Sequence, residues 1–67
     1  MKKLDKRVAR RKFIEGETIR LVPSNCAYFM LYVEISKSSG RSFDQLVNEF
    51  EYYNCNTEMG KYTHFYY

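Results

Sequence analysis

Tryptophan is absent from this 67-residue chain; proline occurs once (Pro23), histidine once (His64), cysteine twice and glycine three times. So little proline and glycine argues against a disordered chain. Cys26 and Cys55 are too few for a disulfide framework, so the expected compartment is the cytoplasm, with both thiols reduced. Together with His64 they are the only soft metal ligands, and their spacing matches no zinc pattern. There is no glycine-rich phosphate loop and no HExxH motif. One histidine without an oxyanion-hole motif leaves a Cys55–His64 nucleophile pair without the remaining parts of such a site. The expectation is therefore no enzyme, no catalytic residue, no metal, no cofactor and no small-molecule substrate. Long apolar runs are also missing. Nothing approaches the ~20 residues of a membrane span. The start Met1-Lys2-Lys3-Leu4 resembles a signal peptide only superficially, because Asp5-Lys6-Arg7 follows in place of an apolar stretch.

What the chain does have is hydrophobic residues at 45%, with seven tyrosines and five phenylalanines, and an uneven charge map. At this length burial barely exceeds chain entropy, so the single domain needs a well-packed core or a partner. Residues 1–12 hold Lys2, Lys3, Lys6, Arg7, Arg10, Arg11 and Lys12 against Asp5 alone, a net +6. Residues 13–67 hold four basic and seven acidic residues, a net −3. The sequence divides on this basis into a basic arm or short helix, 1–12, and a single compact α+β domain, 13–67.

The longest apolar stretch, Ala27 to Ile35, alternates with period two. Phe29, Leu31, Val33 and Ile35 form one face, expected to be buried, and Tyr28, Met30, Tyr32 and Glu34 the other, so a strand across the middle of the domain is expected. Before it, Leu4 to Lys12 reads as a helix or a loose arm, with Met1, Leu4 and Val8 on one side. A short first strand at Lys12–Glu15 would turn at Gly16. Glu17 to Val22 reads as a strand with Ile19 and Leu21 inward, ended by Pro23. After a polar loop, Ser42-Phe43-Asp44-Gln45 matches a capping box, and Phe43, Leu46, Val47, Phe50 and Tyr53 follow at helical spacing. A helix over Phe43–Tyr53 is expected, then a turn at Thr57–Gly60 and an aromatic strand, Lys61–Tyr67. The fold class is α+β: a small, mostly antiparallel sheet of three to four strands, with one amphipathic helix on one face and the basic N-terminal arm or helix beside it.

Two surfaces suggest function. Seven cations in twelve residues form a field able to displace counterions from a phosphate backbone. This makes Lys2, Lys3, Lys6, Arg7, Arg10, Arg11 and Lys12 the nucleic-acid-binding candidates, helped by Arg20, Lys37 or Arg41. Deleting residues 2–12 should then abolish binding without unfolding the rest. Read plainly, the same charges serve only solubility. The second surface is the sheet face bearing Tyr28, Met30, Tyr32, Tyr62, His64 and Tyr66. It forms either a second small core beneath the N-terminal helix or an exposed aromatic platform. Such a face resembles in outline the sheets on which RNA-binding modules stack bases, but their glycine-aromatic signature is absent and no family is assigned. The leading expectation is a small non-enzymatic binding protein that contacts nucleic acid or an acidic protein surface. The alternative is a protein–protein inhibitor or adaptor module of phage or mobile-element type, using the tyrosine face. Homodimerisation is compatible with both.

Overall fold

The computed structural model describes residues 2–23, 32–54 and 63–67. Strand β1 (Lys3–Leu4) leads into helix α1 (Lys6–Ile14), followed by β2 (Ile19–Pro23), β3 (Val33–Ile35), a 3₁₀ turn at Lys37–Ser39, helix α2 (Phe43–Asn54) and β4 (Thr63–Tyr66). The strands form one sheet in the order β1-β4-β2-β3, each neighbouring pair antiparallel. Strands β1 and β2 therefore run in the same direction with β4 inserted between them, a βαβ unit split by a later strand. This is the α+β fold expected, with four strands.

Helix α1 forms although its own charges oppose it. Lys6–Arg10 and Arg7–Arg11 are like-charge pairs at i, i+4, each costing about 0.2–0.5 kcal/mol. Packing offsets this: Ala9 and Phe13, one turn apart, are buried, and Val8 packs against the same core. The end of the helix is well defined. The amide of Gly16 donates to the Phe13 carbonyl at 3.0 Å and that of Glu17 to Lys12 at 2.9 Å, with Gly16 at φ 98°. That is a Schellman motif, which needs a residue tolerant of the left-handed region. Lys12–Glu15 is accordingly no strand: Lys12, Phe13 and Ile14 complete α1, and the glycine that resembles a hairpin turn is the helix stop. The side facing the core also differs from the Met1–Leu4–Val8 alignment, since Leu4 belongs to β1 and the buried positions are Ala9 and Phe13.

Helix α2 begins as its sequence implies. The Gln45 amide donates to Ser42 Oγ at 3.1 Å and the Ser42 amide to Gln45 Oε1 at 3.3 Å, a reciprocal capping box. Phe43, Val47 and Phe50 are buried and Leu46 half-buried. Tyr53, expected on the same stripe, is 75% exposed. At 100° per residue it lies about 80° round from Phe43, on the shoulder of the stripe beyond the sheet edge.

Both helices cover the same face of the sheet, α1 against β4 and β2, α2 against β2 and β3. The described residues on this face form a shared core, built on Leu4, Ile19, Leu21, Ile35 and Phe65 from the strands and Ala9, Phe13, Phe43, Val47 and Phe50 from the helices. Phe43 is its hinge, edge-on to Phe13 at 5.5 Å and stacked on Phe65 at 5.7 Å. The amino-terminal helix thus makes no second core on the reverse face. Two further expectations change. Strand β2 includes Pro23, whose Cα partner is Thr63. The middle of the sheet belongs to β2 and β4, whereas β3 is an edge strand, which leaves Val33 43% exposed while Ile35 is buried. Phe29 and Leu31, the rest of that stretch before Tyr32, and the turn at Thr57–Gly60 lie outside the described residues.

Candidate nucleic-acid interface

The seven amino-terminal cations divide into two groups. Arg10 and Lys12 are engaged within the fold. The Arg10 guanidinium pairs with Asp44 at 2.6 Å and lies 5.3 Å from the Phe43 ring centre. The Lys12 ammonium sits 4.4 Å over the Tyr67 ring. The hydroxyl of Tyr67 donates to the Glu17 carboxylate, which pushes the phenol pKa up, chiefly through that hydrogen bond. Lys2, Lys3, Lys6, Arg7 and Arg11 are exposed, and no ion pair forms to any of them among the described residues. Lys6, Arg7 and Arg11 occupy α1, and Lys2 and Lys3 lie on β1 or directly before it, along the edge of the sheet. All five are carried on backbone that is part of the packed body, because Leu4, Ala9 and Phe13 are core residues.

The placement of Lys6 and Arg7 runs against helix electrostatics. They fill the first turn of α1, which holds no acidic residue, and the Asp5 side chain forms no capping hydrogen bond. Cations at a helix N-terminus are disfavoured by about 0.3–1 kcal/mol each. The other end is conventional, with Arg11 and Lys12 in the last turn and Lys37 Nζ donating to the Ile14 carbonyl at 3.2 Å.

The cations expected to assist are occupied. Arg41 grips Glu49 with its two terminal guanidinium nitrogens, Nη1 and Nη2, one contact at 2.6 Å, and Arg20 lies 3.3 Å from Glu34. A groove between the end of α1 and the start of α2, lined by Arg10, Phe13, Lys37, Arg41, Phe43 and Asp44, therefore has its positive charge already neutralised or used in capping.

Of the tyrosine-face candidates, Tyr32, His64 and Tyr66 are described. All three lie on the reverse side of the sheet from the helices, Tyr32 41% exposed, His64 and Tyr66 half-buried. Burial lowers the His64 pKa from 6.5, and the Lys3 charge lowers it further. Val22, beside His64 in the β2–β4 register, is buried on this side. Tyr28, Met30 and Tyr62 lie outside the described residues, as do Cys26 and Cys55. Sequence reading missed Tyr52 and Tyr53 as a surface feature: exposed by 70% and 75%, their rings meet edge-on at 5.0 Å. The signal was available, since Tyr52 falls on the polar side of α2 and Tyr53 on its shoulder.

Among the described residues no three His, Cys, Asp or Glu side chains converge as a metal would require, and no helix is long and apolar enough to cross a membrane. Comparison with family models, with characterised proteins and with solved structures gives no match.

Proposed function

We propose that this chain is a small non-enzymatic nucleic-acid-binding protein whose contact surface is the outer side of α1 together with the β1 edge: Lys2, Lys3, Lys6, Arg7 and Arg11. The observation that carries this reading is the pair Lys6–Arg7, unpaired cations in the one turn of α1 where the helix dipole disfavours them. Charge that served only solubility would cost nothing elsewhere on the surface; charge that opposes its own helix points to an anionic partner. A phosphate backbone supplies one negative charge per ~1.7 Å of duplex and rewards a row of cations on a rigid support.

The test separates binding from folding. Replacing Lys6, Arg7 and Arg11 together with glutamine removes three contacts and relieves the like-charge strain. Nucleic-acid affinity is expected to fall, and the slope of log K against log salt to shrink by about 2–3, at ~0.7–0.9 per phosphate. Thermal stability is expected to hold or rise. Salt-independent binding by the unmodified protein, or binding unchanged in the triple variant, rejects the proposal. Deleting residues 2–12 is not a usable control, because it removes Leu4 and Ala9 from the core.

The second reading, an inhibitor or adaptor contact with another protein, is supported by the exposed rings Tyr32, Tyr52 and Tyr53. It expects nuclease-resistant capture of one partner that Tyr52→Ser with Tyr53→Ser, or Tyr32→Ala, abolishes.

A further inference from the structure

Exposed aromatic and apolar side chains gather at the corner where the second half of α2 meets β3. Among the described residues, Val33 is 43% exposed, Tyr52 70% and Tyr53 75%. Beside them opens a cavity of about 190 Å³, lined by Val33, Ile35, Leu46, Glu49, Phe50 and Tyr53. Tyr52 stands next to this wall, edge-on to Tyr53 at 5.0 Å. An apolar cavity of ~150 Å³ is enough to hold benzene, so this one has room for a phenol ring. The corner thus carries a socket and, adjoining it, rings of the size that fill it. The charges bordering it are matched within the chain, Glu49 by Arg41 and Glu34 by Arg20.

We propose that a second copy of this chain occupies the corner, in a twofold contact that seats the tyrosine pair of each copy against the socket of the other. Such a contact requires self-complementarity, because the same patch must serve both sides. Charge selects the same arrangement. Lys2, Lys3, Lys6, Arg7 and Arg11 are carried on α1 and at the β1 edge, and β1 and β3 are opposite ends of the described strand order. Copies meeting through α1 would set these cations against one another. Copies meeting through β3 and α2 keep them apart and bring no unmatched charge into the contact. The area is also sufficient. Two tyrosines so exposed present on the order of 300 Å². Val33, Leu46 and the flank of β3 bring each side to roughly 500 Å² and the whole contact to roughly 1,000 Å², the threshold of a specific interface. That size suits a reversible dimer, and it covers an edge strand that would otherwise invite unspecific pairing.

Sedimentation equilibrium of the full chain, without nucleic acid, between about 5 and 500 µM tests this. The weight-average mass is expected to rise to that of two chains and stop there. Tyr53→Ser and Val33→Lys, both at exposed positions, should each raise the midpoint concentration by about tenfold or more and leave the far-ultraviolet circular dichroism unchanged. Each copy carries a net charge of +3, so raising salt from about 50 to 500 mM should tighten the dimer several-fold by screening the repulsion between copies. Backbone amide shifts that change with concentration should centre on Val33, Glu49, Tyr52 and Tyr53 and spare Arg7 and Arg11. Growth beyond two chains overturns the closed contact, and a dimer that both variants leave intact places the interface elsewhere. Salt that dissolves the dimer would mean that α1 of one copy meets acidic groups of the other, which also overturns the proposal. A chain that stays monomeric throughout overturns it as well, and leaves the corner to the inhibitor or adaptor contact.

Discussion

His64 illustrates how a single residue reports on the tyrosine-bearing sheet face. Its ring is half-buried on the reverse side of β4, two residues from Tyr66 and close enough to Lys3 to feel its charge. Both burial and the ammonium disfavour the imidazolium, so the folded-state pKa lies below the 6.5 of the unfolded chain. The sign follows directly: below about pH 6.5 the unfolded chain binds this proton more readily, and stability falls as pH drops through the folded-state value. A proton-NMR titration of this sole histidine should give a midpoint under 6.5. Lys3→Gln should raise the midpoint but not restore it fully, because burial is the larger cause. A midpoint unmoved by that substitution would mean Lys3 points away from the tyrosine face. At the same scale, Ser42 and Gln45 were legible in the sequence because a capping box is a four-residue signal complete in itself. Tyr53 was misjudged for the opposite reason: its spacing suits the stripe, and only the position of the sheet edge leaves it exposed.

At the scale of elements, the two helices are stabilised in different ways. Helix α2 combines a good cap, a first-turn acid at Asp44 and three buried apolar residues. Helix α1 has none of the first two and relies on Ala9, Phe13 and its carboxyl-terminal Gly16. Gly16 at φ 98° has no heavy atom within 4 Å of an added Cβ, so an alanine there meets no clash and the cost is conformational alone. Gly16→Ala should destabilise the protein by about 1 kcal/mol or more, read as a lower denaturation midpoint at unchanged m-value. Gly16→Asn, which visits the left-handed region more readily, should recover part of the loss. A neutral Gly16→Ala would argue that the Schellman bonds contribute nothing. The same glycine explains why the first third of the chain was hard to read. Between an apolar pair (Phe13, Ile14) and a strand, Glu15-Gly16 resembles a two-residue hairpin loop as much as a helix stop. Only Arg11 and Lys12 in the preceding turn tilt the choice toward a helix.

At the scale of the whole molecule, the decisive fact is that the residues completing the fold come last. Phe65 on β4 pairs with Leu4 on one side and Leu21 on the other, and its ring stacks on Phe43. The backbone of Tyr67 exchanges hydrogen bonds with Lys2 at 2.8 and 2.9 Å. None of this was legible locally, since period and turn chemistry identify strands but not their order. The prominent apolar stretch ending at Ile35 therefore looked central, although β3 lies at the edge. The arrangement makes β4 a keystone: without it, among the described residues, β1 has no partner strand and β2 keeps only β3. A 67-residue domain at ~0.05–0.15 kcal/mol per residue holds only ~3–10 kcal/mol, and truncating one buried phenylalanine costs ~3–5. Phe65→Ala should therefore bring the protein to the margin of folding. A chain ending at residue 62 should lose its cooperative thermal transition by circular dichroism, and adding a synthetic peptide of residues 63–67 should not restore it at micromolar concentration. Retention of a sharp transition by the shortened chain would show that β1, α1 and the β2–β3 pair fold around α2 alone. The split sheet would then be an addition to the core rather than its frame.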